Sequence, residues 1–152
     1  MSRTNREQGF TLLEVMAVVV ILGVLAAVAI TKLGTSVETA QINADIATGH
    51  EVKNALDRYQ VDNGIYPKTN EITAAAGVVT AAQLIPKYIS KLGPTTTQQR
   101  AAANQKGFGV STVSAPGQAT NLIMIYLTSD GSAAEVRTYD TDLSDVLWSS
   151  AD

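Results

Sequence analysis

Cysteine is absent from this 152-residue chain, so no disulfide can staple it. There is one histidine, His50, inside a helical pattern. With no HxxxH pair and no His-Cys grouping, it supplies neither a zinc-type ligand set nor the base of a triad. Serines are plentiful, but none sits in a nucleophile-elbow motif, and no enzyme is legible in the chain. Positive charge is scattered over Lys53, Arg58, Lys68, Lys87, Lys91, Arg100, Lys106 and Arg137, in a chain of formal net charge -3. The basic stripe that nucleic-acid binding requires is therefore missing. Aromatic residues are 5% of the chain, which lends no support to an electron path through stacked rings.

Apolar residues, by contrast, are concentrated at one end. An unbroken run from Val15 to Ile30 follows a short polar head. From Phe10 to Ile30 is about 21 residues, roughly 31 Å as a helix, which matches a bilayer core of about 30 Å. One carboxylate, Glu14, is embedded in it. An ionisable group at membrane depth is costly and calls for a partner. A secretory signal peptide would use Arg3 and Arg6 as its positive head. The run is too long for one, Ala26, Ala27 and Ala29 make only a weak cleavage site, and Glu14 would be left unexplained. A plain single-span anchor leaves Glu14 unexplained too.

The segment Gly9-Phe10-Thr11-Leu12-Leu13-Glu14-Val15-Met16, continued by Ile21-Leu22-Gly23-Val24-Leu25-Ala26-Ala27, resembles the N-terminal motif of class III signal peptides. These occur in type IV pilins and type II secretion pseudopilins. The resemblance implies cleavage by a prepilin peptidase after Gly9 and N-methylation of the new terminus, Phe10. It also implies that Glu14 pairs with the Phe10 amine of an adjacent subunit and sets register in a helical filament. A pair with its own N-terminus is the intramolecular alternative. The charges fit: the polar leader with two arginines stays on the cytoplasmic face, and a carboxylate in low dielectric gains strongly from a nearby ammonium. Losing the leader would leave 9 basic and 13 acidic side chains. The resemblance further implies an inner-membrane assembly platform and ATPase as partners, and membrane lipid before assembly. Many relatives close a C-terminal loop with a disulfide; here backbone pairing, or a metal, has to substitute.

Four segments are expected: a leader (1-9), a transmembrane and assembly helix (10-31), its amphipathic second half (32-62), and a head (63-152). Ile42, Ile46, Gly49, Val52, Leu56 and Tyr59 draw one helical stripe, with Asn43, Asp45, Lys53, Asp57 and Arg58 expected on a solvated or intersubunit face. Asn63-Gly64 should end the helix, with Tyr66 packing back on it and Pro67 fixing the exit. Type IV pilins usually bend the helix with a proline where this chain has Thr31, so the i→i−4 bond there should survive, with Gly23 and Gly34 left as weak points. Thr80-Ala81-Ala82-Gln83 fits a capping box ahead of a short helix limited by Pro86, and residues 94-105 read as a loop without a packing pattern. Residues 107-113, 122-127 and 135-139 read as three antiparallel strands, with Ser129-Asp130-Gly131-Ser132 as a hairpin turn.

The fold class is therefore α+β and pilin-like, a long N-terminal helix packed on a small antiparallel sheet. Asp140, Asp142 and Asp145 offer oxygen ligands of the kind calcium takes, with an acidic solvated tail as the alternative. The major pseudopilin of type II secretion carries a calcium loop in a similar place. That protein also has an Asp-Pro-Trp-Gly element where this chain has Leu92-Gly93-Pro94-Thr95, so the pilus reading is preferred and the pseudopilin kept as the alternative. Either way the subunit begins in the inner membrane and ends in an extracellular pilus or a periplasmic pseudopilus.

Overall fold

The computed structural model describes residues 10-113 and 118-151. One helix, α1 (Leu12–Asn63), precedes six strands: β1 (Thr73–Ala75), β2 (Val78–Thr80), β3 (Phe108–Thr112), β4 (Ile123–Leu127), β5 (Ala134–Tyr139) and β6 (Val146–Ser149). Two compact units divide the chain, one ending at Val37 and the other running from Glu38 to Asp152. The architecture is α+β, with a long apolar N-terminal helix and small sheets.

In the first unit the helix is greasy all round. Its large apolar side chains from Phe10 to Val37 are 48–84% exposed, the profile of a helix meant for hydrocarbon or for other helices. It is long and apolar enough to cross a membrane. As expected without a proline, the helix passes unbroken through residue 31.

In the second unit the same helix becomes one-sided. Gly49, Val52, Leu56 and Tyr59 are buried as the periodicity predicts, but Ile46 is only half-buried. Asp45, expected on a solvated face, is fully buried. Its carboxylate accepts the backbone N–H groups of Gln98 at 2.6 Å and Gln99 at 3.1 Å. The loop expected to lack packing is thereby fastened to the helix. Thr97 and Gln99 are buried within it; the Gln99 amide donates to Tyr139 O at 3.0 Å, and Thr97 Oγ1 accepts Gly107 N–H at 3.0 Å. The helix ends where Asn-Gly predicts. Gly64, at φ 81°, donates its N–H to Gln60 O at 2.7 Å, and Tyr66 packs back by donating its hydroxyl to Asp57 at 2.8 Å. Lys53 pairs with the same carboxylate.

The short helix after Thr80 does not form. Thr80 ends β2, and residues 81-89 are successive turns closed by Leu84 N–H to Ala81 O and Tyr88 N–H to Leu84 O. Pro86 has no N–H to extend a helix. The Gln83 side chain accepts the Tyr59 hydroxyl at 2.8 Å instead of reaching back to cap. Strands β1 and β2, unforeseen in the sequence, form an antiparallel hairpin across Ala76 and Gly77, both at positive φ, the mirror-type two-residue turn. A Cβ on Gly77 would run into Lys106 O.

The main sheet has the order β3-β4-β5-β6. It is mixed: β3 pairs with β4 in parallel, which corrects the three antiparallel strands expected. Parallel neighbours need a long return connection, supplied by residues 113-122, part of which lies outside the described residues. Every residue of β4 is buried. Ile123, Ile125 and Leu127 join Val52 and Leu56 in the main core, while Met124 and Tyr126 cluster with Tyr139 on the opposite face. This two-sided burial explains a continuous apolar run in place of alternation. The unforeseen β6 closes the C-terminus by backbone pairing, reinforced where Val136 and Ser150 exchange hydrogen bonds at 2.9 Å.

Trp148 of β6 stacks on His50 at 4.1 Å between ring centroids. Gly49 permits the approach: a Cβ there would lie 2.7 Å from Thr138 Oγ1 and 3.0 Å from the indole. Gly49→Ala should therefore lower stability by about 1–3 kcal/mol through overpacking, against a helix-propensity gain of about 1 kcal/mol. Thermal melts check the sign, and an unchanged or raised Tm would remove the steric account. In the β4–β5 turn the Asp130 carboxylate accepts Ser132 N–H at 3.0 Å and Ser132 O–H at 2.8 Å. These bonds, the backbone one foremost, lower its pKa from 3.8 to about 2. A depressed folded value means the stabilisation is present above 3.8 and lost as pH falls towards 2. Asp130→Asn should flatten the acid limb of the Tm–pH curve in that window, with no change near neutrality attributable to titration.

Candidate assembly site at the helix N-terminus

Phe10 opens the described residues and is 84% exposed, with Leu12 and Leu13 beside it at 79% and 78%. Gly9 lies outside the described residues. Thr11 precedes the first helical residue, which makes it the N-cap and Glu14 the third helical position. The two exchange contacts. Glu14 N–H donates to Thr11 Oγ1 at 3.3 Å; Thr11 N–H and Thr11 O–H both donate to Glu14 Oε2 at 3.4 Å. This is a reciprocal capping box, satisfying backbone donors that the helix leaves open. Its bonds, at 3.3–3.4 Å, lie at the long end of hydrogen-bond geometry. The positive end of the helix dipole also favours a carboxylate here.

Chemically, the site offers an acceptor pair of oxygens one turn from Phe10, on a helix whose apolar flanks are exposed. The Phe10 nitrogen is an amide while Gly9 precedes it and becomes an ammonium only after cleavage. Thr11 was missed as a functional residue. The signal was present, because Thr11-Leu12-Leu13-Glu14 is the same S/T-x-x-E/Q pattern that was assigned to Thr80.

The acidic loop after β5 is organised differently from a calcium site. Asp140 Oδ1 accepts Ser144 N–H at 2.9 Å and Asp145 N–H at 3.3 Å, and Asp140 Oδ2 accepts the Ser144 hydroxyl at 3.1 Å. Asp140 N–H donates to Asp145 O, Leu143 N–H to Asp140 O, and Leu143 sits at φ 61°. The Asp140 oxygens are occupied in building the turn, while Asp142 and Asp145 are exposed. Among the described residues, no three His, Cys, Asp or Glu side chains converge. The donor set present does not fit a calcium ion, which needs 6–8 oxygens.

Residues 4–30 match the family described as the prokaryotic N-terminal methylation motif. The chain is similar to type II secretion system core protein G of Escherichia coli K12, 42% identical over 71 residues, or 47% of this chain and 49% of that protein. It is similar to type IV major pilin protein PilE of Neisseria gonorrhoeae, 35% identical over 86 residues, 57% of this chain and 50% of that protein. With a fimbrial protein of Neisseria meningitidis it shares 33% identity over 101 residues, 64% of this chain and 58% of that protein. The chain thus spans about half the length of the relatives it matches. No solved structure matches.

Proposed function

We propose that this chain, which carries the methylation motif and is related to both type IV pilins and type II secretion core protein G, is a structural subunit of a helical filament, and specifically a type IV pilus subunit. The observation that carries the reading is Glu14, the one carboxylate in the exposed apolar stretch that opens α1. Before assembly, residues 10-30 lie in the inner membrane with Thr11 satisfying Glu14. A prepilin peptidase cuts after Gly9, Phe10 is N-methylated, and an ammonium appears within a helical turn of a carboxylate. In the filament, Glu14 exchanges Thr11 for the Phe10 ammonium of a second copy. Lipid is as apolar as the helix, so assembly gains come from close packing and from this charge pair rather than from transfer out of water. An assembly platform and ATPase supply the extraction.

Both relatives are consistent with a filament subunit, and the pilus reading takes its support from the longer overlap. It reaches 64% of this chain with the fimbrial protein, against 47% with core protein G. The higher identity to core protein G supports a pseudopilin as the second reading. Electron microscopy of sheared surface material, with mass spectrometry of its N-terminus, tests both. Surface fibres beginning at methylated Phe10 support the pilus; processed subunits confined to the periplasm support the pseudopilus; an intact Met1 in assembled fibres would overturn processing altogether.

A further inference from the structure

The end of α1 holds the chain's one Asn-Gly dipeptide, Asn63-Gly64, in an exposed position. In a flexible chain this pair is chemically unstable. The glycine nitrogen loses its proton and attacks the asparagine Cγ, ammonia leaves, and the five-membered imide that results is opened by water to aspartate or isoaspartate. Attack requires a free Gly64 N–H and an Asn63 backbone rotated out of the helical conformation.

Both conditions are blocked here. Gly64 N–H is committed to Gln60 O at 2.7 Å, the single bond of the left-handed cap that follows a helix. Asn63 is the last helical residue, and its side-chain amide donates to Tyr59 O at 2.8 Å. The same nitrogen lies 3.5 Å from Tyr88 Oη, and that hydroxyl donates to Asp62 at 2.8 Å while accepting from Lys87 at 2.7 Å. The segment around Tyr88 is thus tied across the last turn.

We propose that Asn63-Gly64 is a latent modification site, closed while the end of α1 is folded and converted to aspartate or isoaspartate when that turn opens. Conversion is one-way in its consequences. It removes the amide that caps Tyr59 O and adds a carboxylate next to Asp62, at the helix end where the dipole disfavours negative charge. An opened helix end is therefore kept from closing fully again, and deamidation leaves a covalent record of opening. The other Xaa-Gly turn of this type, Asp130-Gly131, meets the same region through Tyr66 N–H to Gly131 O at 2.9 Å. Its carboxylate is held by Ser132, so it serves as an internal reference.

The test is peptide mapping by mass spectrometry of the full chain in detergent micelles, aged at mildly alkaline pH with and without urea. Conversion at Asn63 should be at least about tenfold slower in the native sample, because it is limited by local opening. Tyr88→Phe, which removes both the tie to Asp62 and the 3.5 Å contact with the Asn63 amide while leaving residues 63 and 64 themselves unchanged, should raise the native rate several-fold and leave the rate in urea unchanged. Circular dichroism establishes that this variant is folded. Equal rates in native and urea samples would overturn the proposal, and so would a native rate unmoved by Tyr88→Phe.

Discussion

Glu14→Leu is expected to leave membrane insertion intact and to abolish filaments. The substitution lengthens the apolar run, so the helix still partitions into lipid. What it removes is the acceptor for the Phe10 ammonium, which in an assembled fibre would then sit unpaired in hydrocarbon. A charge at that depth costs about 2.5–3.5 kcal/mol, which at about 1.4 kcal/mol per tenfold is roughly a hundredfold per subunit added. Cell fractionation should show processed subunit in the inner membrane at normal abundance, with sheared filament below detection. Thr11→Ala separates the two roles proposed for the carboxylate. Losing the N-cap costs about 0.5–2 kcal/mol of helix stability but leaves the ammonium's partner in place, so filaments should persist. Normal filament yield from Glu14→Leu would remove the pairing role, whatever the membrane phenotype.

Asp45→Ala should strongly destabilise the residue 38-152 unit. Two charge-assisted bonds at about 1.5–3 kcal/mol each put the loss at about 3–6 kcal/mol. The Gln99 N–H in particular would be left buried without an acceptor. A Tm drop of roughly 12 °C or more follows. Hydrogen exchange at the Gln98 and Gln99 amides should rise before the sheet amides do, because the loop is released first. Asp45→Asn, which keeps an acceptor oxygen but not the charge, should fall between. A Tm within a few degrees of the parent would mean the loop is held by other contacts.

Asp45 lies on the buried stripe by spacing, yet its charge argues against burial until its partners are known. The stripe that is buried runs Asp45, Gly49, Val52, Leu56, Tyr59, a strict 4-3-4-3 spacing. Ile46 was placed on it because isoleucine is apolar, and Asp45 was placed outside because aspartate is charged. A buried carboxylate is tolerated where backbone donors meet it, and those donors come from residues 98 and 99, more than fifty positions away. No local pattern carries that information. The parallel pairing of β3 with β4 was hidden for a similar reason, since strand direction depends on how the connecting chain returns. Strands β3, β4 and β5, the helix end at Asn63 and the helical fate of residues 12-63 are legible, because apolar spacing and the Asn-Gly break act locally, whereas the short β1, β2 and β6 carry no such run. At the assembly site Glu14 stood out by its cost in hydrocarbon. Thr11 is legible as well, as the first residue of the S/T-x-x-E pattern that Glu14 completes. In the acidic loop, Asp140 spends its oxygens on the amides of its own turn, an arrangement that sequence proximity of the aspartates does not reveal.

The stack of Trp148 on His50 has a practical corollary. Because the chain contains a single indole and a single imidazole, its tryptophan emission comes from one place, the seam between the last strand and α1. Fluorescence intensity and wavelength therefore report on the attachment of the C-terminal strand to α1, with no label and no engineered probe.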